Sequence, residues 1–167
     1  MVDVTLTLPT GSVILRRALP QDLSAIVGLL ADDSISASRG DADRPEDRPA
    51  YERAFAAIDA DPAQQLLVAT SLLGDVLATM QLTVIPGLAR VGSSRLQIEA
   101  VRVRSDQRGR GIGGAMIRWA VHMAPSFGAA LVQLTSDAAR VDAHRFYERL
   151  GFTASHVGVK HAVPTVS

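Results

Sequence analysis

Nine residues in the middle of the chain, Asp106 to Gly114 (DQRGRGIGG), hold four glycines and two arginines. Glycine loses more backbone freedom on ordering than any other residue, so such a cluster marks backbone that turns sharply or closely approaches something. The next residues, AMIRWAVHMA, run into an apolar helical pattern, so the cluster opens a helix. The first N–H groups of a helix lack internal acceptors and lie at the positive end of its dipole, which is the chemistry of an anion site. Gly111 and Gly113 leave those N–H groups uncovered, and Arg108 and Arg110 add positive charge. Two other residues could move protons. Glu99 stands between Ile98 and Ala100, an apolar setting in which burial would raise a carboxyl toward a useful base; the alternative is a structural carboxylate paired with Arg95 or Arg102. Tyr147 shares a helix face with Ala143 and Leu150, so its phenol is either a proton donor or a core aromatic bonded to backbone.

Three glycine motifs compete for the cluster. A P-loop needs Lys-Ser or Lys-Thr after its last glycine, and the chain has Gly114-Ala115. Gly109, Gly111 and Gly114 satisfy G-x-G-x-x-G, with Asp137 downstream for a ribose, but too little chain follows for a second nucleotide-binding half. The third pattern is [Q/R]-x-x-G-x-[G/A], read on Arg108, Gly109, Arg110, Gly111, Ile112 and Gly113.

Alternating strands and helices must position these residues. Ser12–Arg17 reads as a strand, followed by Pro20 and a helix through Leu23, Ile26, Val27 and Leu30. Asp32 to Arg48 carries six acids against three arginines and reads as a mobile loop, either a solvated face or a lure for a polyamine or aminoglycoside. A helix over Ala50–Ala60 precedes a hairpin, Leu66–Thr70 and Val76–Val84, turning at Gly74-Asp75. A strand over Leu96–Arg104 leads into the glycines and a helix to about Ala124; then come strand Ala130–Leu134, helix Asp142–Leu150, and a closing strand over Thr153–Lys160. In Leu96–Arg104 the apolar residues change phase: Leu96, Ile98 and Ala100 share one face, Val101 and Val103 the other. A β-bulge produces that slip, and would bend the strand away from a parallel neighbour at Ala130–Leu134, opening a groove of unpaired amides. The other reading puts the small Ala100 in a core packed on both sides.

Composition bounds the class. The chain has 167 residues, 47% hydrophobic and 20% charged, with formal net charge zero, which suits one globular domain and argues against a general nucleic-acid binder. With no cysteine there is no disulfide, thiolate metal site or thiol nucleophile, which fits a cytoplasmic setting. No apolar run reaches membrane-span length, the start lacks a signal-peptide pattern, and no metal cluster is discernible.

The third glycine pattern, after a strand and opening a helix, closely resembles the pyrophosphate-binding motif of the GNAT superfamily of N-acetyltransferases. VILRRALPQDLSAIVGLL is similar to the superfamily's first strand and helix, and HRFYERLGF, with Phe146 to Phe152, to its closing FYxxLGF segment. The resemblance implies one domain over 1–167, α/β with a mixed, mostly antiparallel sheet splayed between the fourth and fifth strands and helices on both faces. It implies acetyl-CoA as acyl donor, no metal, and a primary amine acceptor, a small molecule in class rather than a peptide, with no nucleic-acid or membrane partner and a homodimer left open.

The resemblance also assigns roles. The backbone from Arg108 through Gly109, Arg110, Gly111, Ile112, Gly113 and Gly114 holds the pyrophosphate. Val101 and Val103 line the cofactor at the splay, Val101 offering an N–H to the oxyanion. Glu99 is the base and Tyr147 the acid that protonates the departing thiolate. Many family members place Asn seven residues before this tyrosine; here it is Arg140, which could reach a phosphate of coenzyme A or shape the acceptor pocket. His144 reads as an ordinary helix-surface residue and His156 as an ordinary strand residue, with contact to the acceptor as the alternative, and Phe146 and Phe152 read as core. A catalytically silent acyl-CoA-binding regulator, and a small dinucleotide-binding protein, are the alternatives.

Overall fold

The chain opens with a strand beyond those expected, in which Val4, Leu6 and Leu8 alternate with Asp3, Thr5 and Thr7 in the period of a half-buried strand. The computed structural model describes residues 3–32 and 43–163; residues 33–42, most of the acidic loop, lie outside the described residues. β1 (Asp3–Leu8) pairs antiparallel with β2 (Gly11–Arg17) around Pro9-Thr10. After α1 (Leu23–Ala31) and α2 (Arg48–Ala60) come β3 (Gln64–Thr70) and β4 (Val76–Ile85), then β5 (Ser94–Val103), α3 (Ile112–Met123) and β6 (Ala129–Leu134). The strands form one six-stranded sheet in chain order, antiparallel except for the β5–β6 pair, which α3 connects.

Residues 3–134 form one compact unit. Leu67, Val68 and Ala69, consecutive on β3, are all inaccessible, so both faces of the sheet are covered there. One face meets α1 and α2, where Leu23, Ile26 and Val27 at helical spacing pack with Phe55 and Val68. α3 packs against β1, β4 and β5 through Ile112, Ala115, Met116 and Ala120.

The phase change in β5 is a bulge. Gln81 faces Glu99 and Thr79 faces Arg102, so the single residue Met80 is set against two, Ala100 and Val101. Ala100 has φ 50°, a left-handed conformation that accommodates the extra residue. Val103 thereby returns to the face of Leu96 and Ile98, which are 1% exposed. β6 pairs with β5 only through Ile98↔Leu134, whereas β5 continues to Val103 on β4. Residues 99–103 therefore have no ladder partner on the β6 side among the described residues, which is the expected splay.

Asp22 holds the corner between β2 and α1. At 5% exposure it accepts two bonds from the Arg16 guanidinium, at 2.7 and 3.0 Å, and one from the Leu19 N–H at 2.7 Å. Burial is the largest influence on its pKa and pushes it up, but the Arg16 and Leu19 bonds with the Arg16 charge together outweigh it, leaving the carboxyl below its ordinary value.

Residues 135–163 belong to a second unit. Its helix, α4 (Val141–Arg149), ends at Gly151 with φ 89°, where the Gly151 N–H bonds the Glu148 carbonyl at 3.0 Å. Thr153–Lys160, expected as a closing strand, forms none. Its two β-branched apolar residues, Val157 and Val159, flank a glycine and are exposed, so no apolar face is buried to hold a register.

Two stability predictions follow from the bulge and the corner. Ala100→Val places a β-branched residue in left-handed backbone and is expected to cost about 1–2 kcal/mol, whereas Ala100→Gly stays within about 1 kcal/mol of wild type by urea unfolding. Asp22 binds a proton less readily folded than unfolded. Its stabilisation is present above the ordinary aspartate range and is lost as pH falls through the lower folded-state pKa. Asp22→Asn should therefore destabilise by about 3 kcal/mol at pH 7 and lose less further stability between pH 5 and 2 than wild type.

Candidate functional site

The glycine turn follows directly from the splayed end of β5. A short turn at Ser105–Gln107 leads to Arg108, extended at φ −63° and ψ 152°, then Gly109 at φ 77° and Gly111 at φ 89°, which caps α3. Two left-handed residues flanking one arginine reverse the chain within a single step, which side chains with a Cβ resist. At Gly111 the constraint is double, because a Cβ there would also lie 3.3 Å from Cδ of Pro9 in the β1–β2 turn. Gly113 is different: it lies inside α3 with no left-handed φ. Its backbone would accept a side chain, so glycine there suits close approach of a ligand to the first N–H groups.

The arginines divide by what they already hold. Arg104 bonds Asp106 at 2.6 and 3.0 Å; that hydrogen bond, followed by one from Gln107, holds the Asp106 carboxyl down at about 2. Arg108 braces the turn, donating through Nε to the Val103 carbonyl at 3.2 Å and pairing with Asp32 at 3.5 Å. Arg110 donates to the neutral amide oxygen of Gln107 at 2.7 Å and has no carboxylate partner among the described residues. A further cation was missed in the sequence. The Arg118 guanidinium folds back over the helix start, with Nη1 3.2 Å from where a Cβ on Gly114 would stand. Helical side chains lean toward the N-terminus, so the arginine four residues past Gly114 was the available signal.

The structure brings Val101, Val103, Arg108, Gly109, Arg110, Gly111, Ile112, Gly113 and Gly114 into one continuous stretch, from the splay to the first turn of α3. Glu99 begins it, but not in the apolar setting expected. Its side chain is exposed. Neighbours along a strand point to the opposite face, so Ile98 and Ala100 cannot bury the residue between them.

In the second unit, Tyr147 is half-buried and edge-on to Phe146 and Phe152, with ring centroids 5.2 and 5.9 Å away. Its carbonyl accepts the Phe152 N–H at 3.1 Å. Arg140 caps α4, its N–H bonding the Asp137 carbonyl at 3.0 Å. His144, expected at the surface, is half-buried, and its Nε2 lies 2.8 Å from the Asp137 carbonyl, tying the helix to the loop before it. His156 is exposed, with Nδ1 2.8 Å from the Ser155 hydroxyl. Among the described residues no group of three or more His, Asp or Glu side chains could hold a metal, and no helix is long and apolar enough to cross a membrane.

A bulged strand parting from a parallel neighbour, followed at once by a glycine-capped helix start, is the arrangement that the resemblance to the GNAT acetyltransferases implies. The chain belongs to the acetyltransferase (GNAT) family, whose model matches residues 30–152. Over 60 residues it is 40% identical to an aminoalkylphosphonate N-acetyltransferase of Salmonella typhimurium, a match spanning 36% of this chain and only 39% of that protein's length. Among solved structures it resembles a transcriptional regulator from Bacillus halodurans C-125, at TM-score 0.84 and 41% identity over 90% of this chain and 99% of that one. A glucosamine-6-phosphate N-acetyltransferase from Arabidopsis thaliana shares the fold, at TM-score 0.71 and 20% identity over 90% of this chain and 97% of that one. With a mostly antiparallel sheet, the dinucleotide-binding alternative loses its architecture.

Calorimetry with acetyl-CoA tests the turn. Gly113→Val is expected to abolish binding in a folded protein, and Arg110→Ala and Arg118→Ala to weaken it about fivefold each, the scale of an exposed charge contact. Arg108→Ala should mainly lower Tm.

Proposed function

We propose that the whole chain, 1–167, acts as one N-acetyltransferase domain that moves the acetyl group of acetyl-CoA directly to a primary amine of a small molecule. The observation that carries this reading is the stretch from Glu99 to Gly114, in which a strand edge with no ladder partner on the β6 side among the described residues runs straight into a glycine-capped helix N-terminus. A thioester with a pyrophosphate tail needs both halves: donors for a developing oxyanion, and donors with positive charge for phosphate. The first turn of α3 with Arg110 and Arg118 would hold the pyrophosphate. Val101 and Val103 would lie along the acyl arm, and Arg140 would reach a phosphate or the acceptor.

The amine nitrogen attacks the thioester carbon; the N–C bond forms, the C–S bond breaks, and nitrogen loses a proton while the thiolate gains one. Glu99 attracts the ammonium form of the acceptor and takes one proton to free the neutral amine, a task open to an exposed carboxylate in contact with water; the second, lost from nitrogen as the amide forms, replaces the one given to the thiolate. Tyr147 is proposed, on the family resemblance, as the donor to the thiolate. Without cysteine in the chain no acetyl-thioester can form on the enzyme, which favours direct transfer with both substrates bound together.

A second reading has one observation in its favour: a structural relative at 41% identity carries the name of a transcriptional regulator. A silent acyl-CoA-binding module would bind acetyl-CoA but release no thiol with any acceptor.

The test is an amine panel of amino acids, polyamines, aminosugars and peptide N-termini, followed by thiol release and by mass of the product. Intersecting double-reciprocal lines are expected, and a chemically competent acetyl-enzyme would overturn direct transfer. Tyr147→Phe should retain acetyl-CoA affinity and lose about 10² to 10⁴ in kcat, with partial recovery on an acyl donor whose thiol is more acidic. Normal turnover with lowered Tm would instead make Tyr147 a packing residue.

A further inference from the structure

The face of the sheet beside Glu99 carries a row of neutral polar side chains where a core would place apolar ones. Gln64 on β3, Thr83 on β4, Gln97 on β5 and Gln133 on β6 are directly opposite one another across four strands. Gln81 and Glu99 form the next row on the same face, one step nearer the splay. The row falls into two hydrogen-bonded groups. Gln64 Oε1 accepts from the Thr83 hydroxyl at 2.7 Å and from the Gln81 amide at 3.1 Å. Gln97 Oε1 accepts from the Gln133 amide at 2.7 Å, while Gln97 Nε2 has only a 3.5 Å contact with the neighbouring Ile98 carbonyl.

Gln97 is 8% exposed, and an amide is expensive to keep at that depth unless its donors are used. A 3.5 Å contact uses them poorly. The Gln133 carbonyl oxygen and the second proton of each amide are likewise available among the described residues. Gln97 and Gln133 lie in the pair of the β5–β6 ladder just before the last, Ile98↔Leu134, so these groups sit beside the point where the strands part. Arg95, two residues back along β5, lies instead against the 86–93 turn, its Nη1 3.5 Å from where a Gly87 Cβ would stand.

We propose that Gln97 and Gln133 read the body of the acceptor, and that it is a hydroxyl-bearing primary amine, an amino-polyol or aminosugar, whose ammonium group meets Glu99. The assignment rests on the acetyl-transfer reading above. Amide groups alternate donor and acceptor, which matches hydroxyls that do both. Gln97 and Gln133 are specificity-determining residues in this scheme, and touch neither the acetyl group nor the pyrophosphate.

The experiment compares serinol with isopropylamine, which differ only in two hydroxyls, and adds 2-aminoethylphosphonate as the acidic acceptor. Wild type is expected to favour serinol over isopropylamine by about tenfold or more in kcat/KM referred to the neutral amine of each, the worth of one or two hydrogen bonds. Gln97→Leu and Gln133→Leu should each remove most of that preference, read as the serinol-to-isopropylamine ratio, with acetyl-CoA affinity by calorimetry unchanged as the check on folding. If amines are acetylated but serinol is not preferred, if the phosphonate is preferred, or if both variants keep the preference, this inference falls and the acetyl-transfer reading stands. If no amine is acetylated by a protein that binds acetyl-CoA, both fall.

Discussion

One extra residue in β5 is the constraint on which the rest depends. Opposite Met80 the strand places Ala100 and Val101, and the left-handed turn at Ala100 is what lets two residues occupy the length of one. Before it, Gln97 and Glu99 face the α1–α2 side while Leu96 and Ile98 enter the core; beyond it, Val103 returns to the face of Leu96 and Ile98, half-buried. A regular strand would leave either Val103 or Ile98 on the wrong face. The same displacement ends the β6 ladder at Ile98 and delivers the chain to the glycine turn. Burial of two apolar sets out of phase by one residue, and opening of the sheet, are thus one event.

Charge in this region is organised around holding backbone rather than around a field. Net charge is zero, and Arg104 and Arg108 are each matched to a carboxylate close in space. Arg108, first in the motif by which the turn is recognised, spends its guanidinium on the Val103 carbonyl and Asp32. Positive potential at the helix start falls to Arg110, to Arg118 leaning back over Gly114, and to the helix dipole. Asp22 serves the β2–α1 corner in the same manner, converting a buried charge into three fixed bonds.

Much of this was legible in the sequence because it depends on periodicity. The bulge appeared as a phase slip, the glycine turn as a cluster opening a helix, and α1 as Leu23, Ile26, Val27. β1 was legible too, since Val4, Leu6 and Leu8 alternate with polar residues. What was not legible depends on depth or distance. Glu99 has apolar neighbours in the chain, but a pleated strand sends them to the other face, so sequence adjacency said nothing of its environment. The Arg16–Asp22 pair joins residues six apart around a corner that no repeat marks. The row of Gln64, Thr83, Gln97 and Gln133 exists only once four strands have a common register. Val157 and Val159 had strand propensity without a partner to express it.

The bulge also sets what kind of change this strand can absorb over generations. Surface turns such as 71–75, closed by the Ser71 hydroxyl, can gain or lose residues at small cost, because nothing beyond them is counted in steps of two. β5 is counted. Removing one residue at Ala100 or Val101 would make the ladder regular, exchange the two faces from Arg102 onward, and let pairing with β6 run on where the strands now part. No replacement of a side chain elsewhere restores that offset. Chain length in β5 is therefore fixed by geometry, and diversification of this groove is confined to exchanging side chains at unchanged positions.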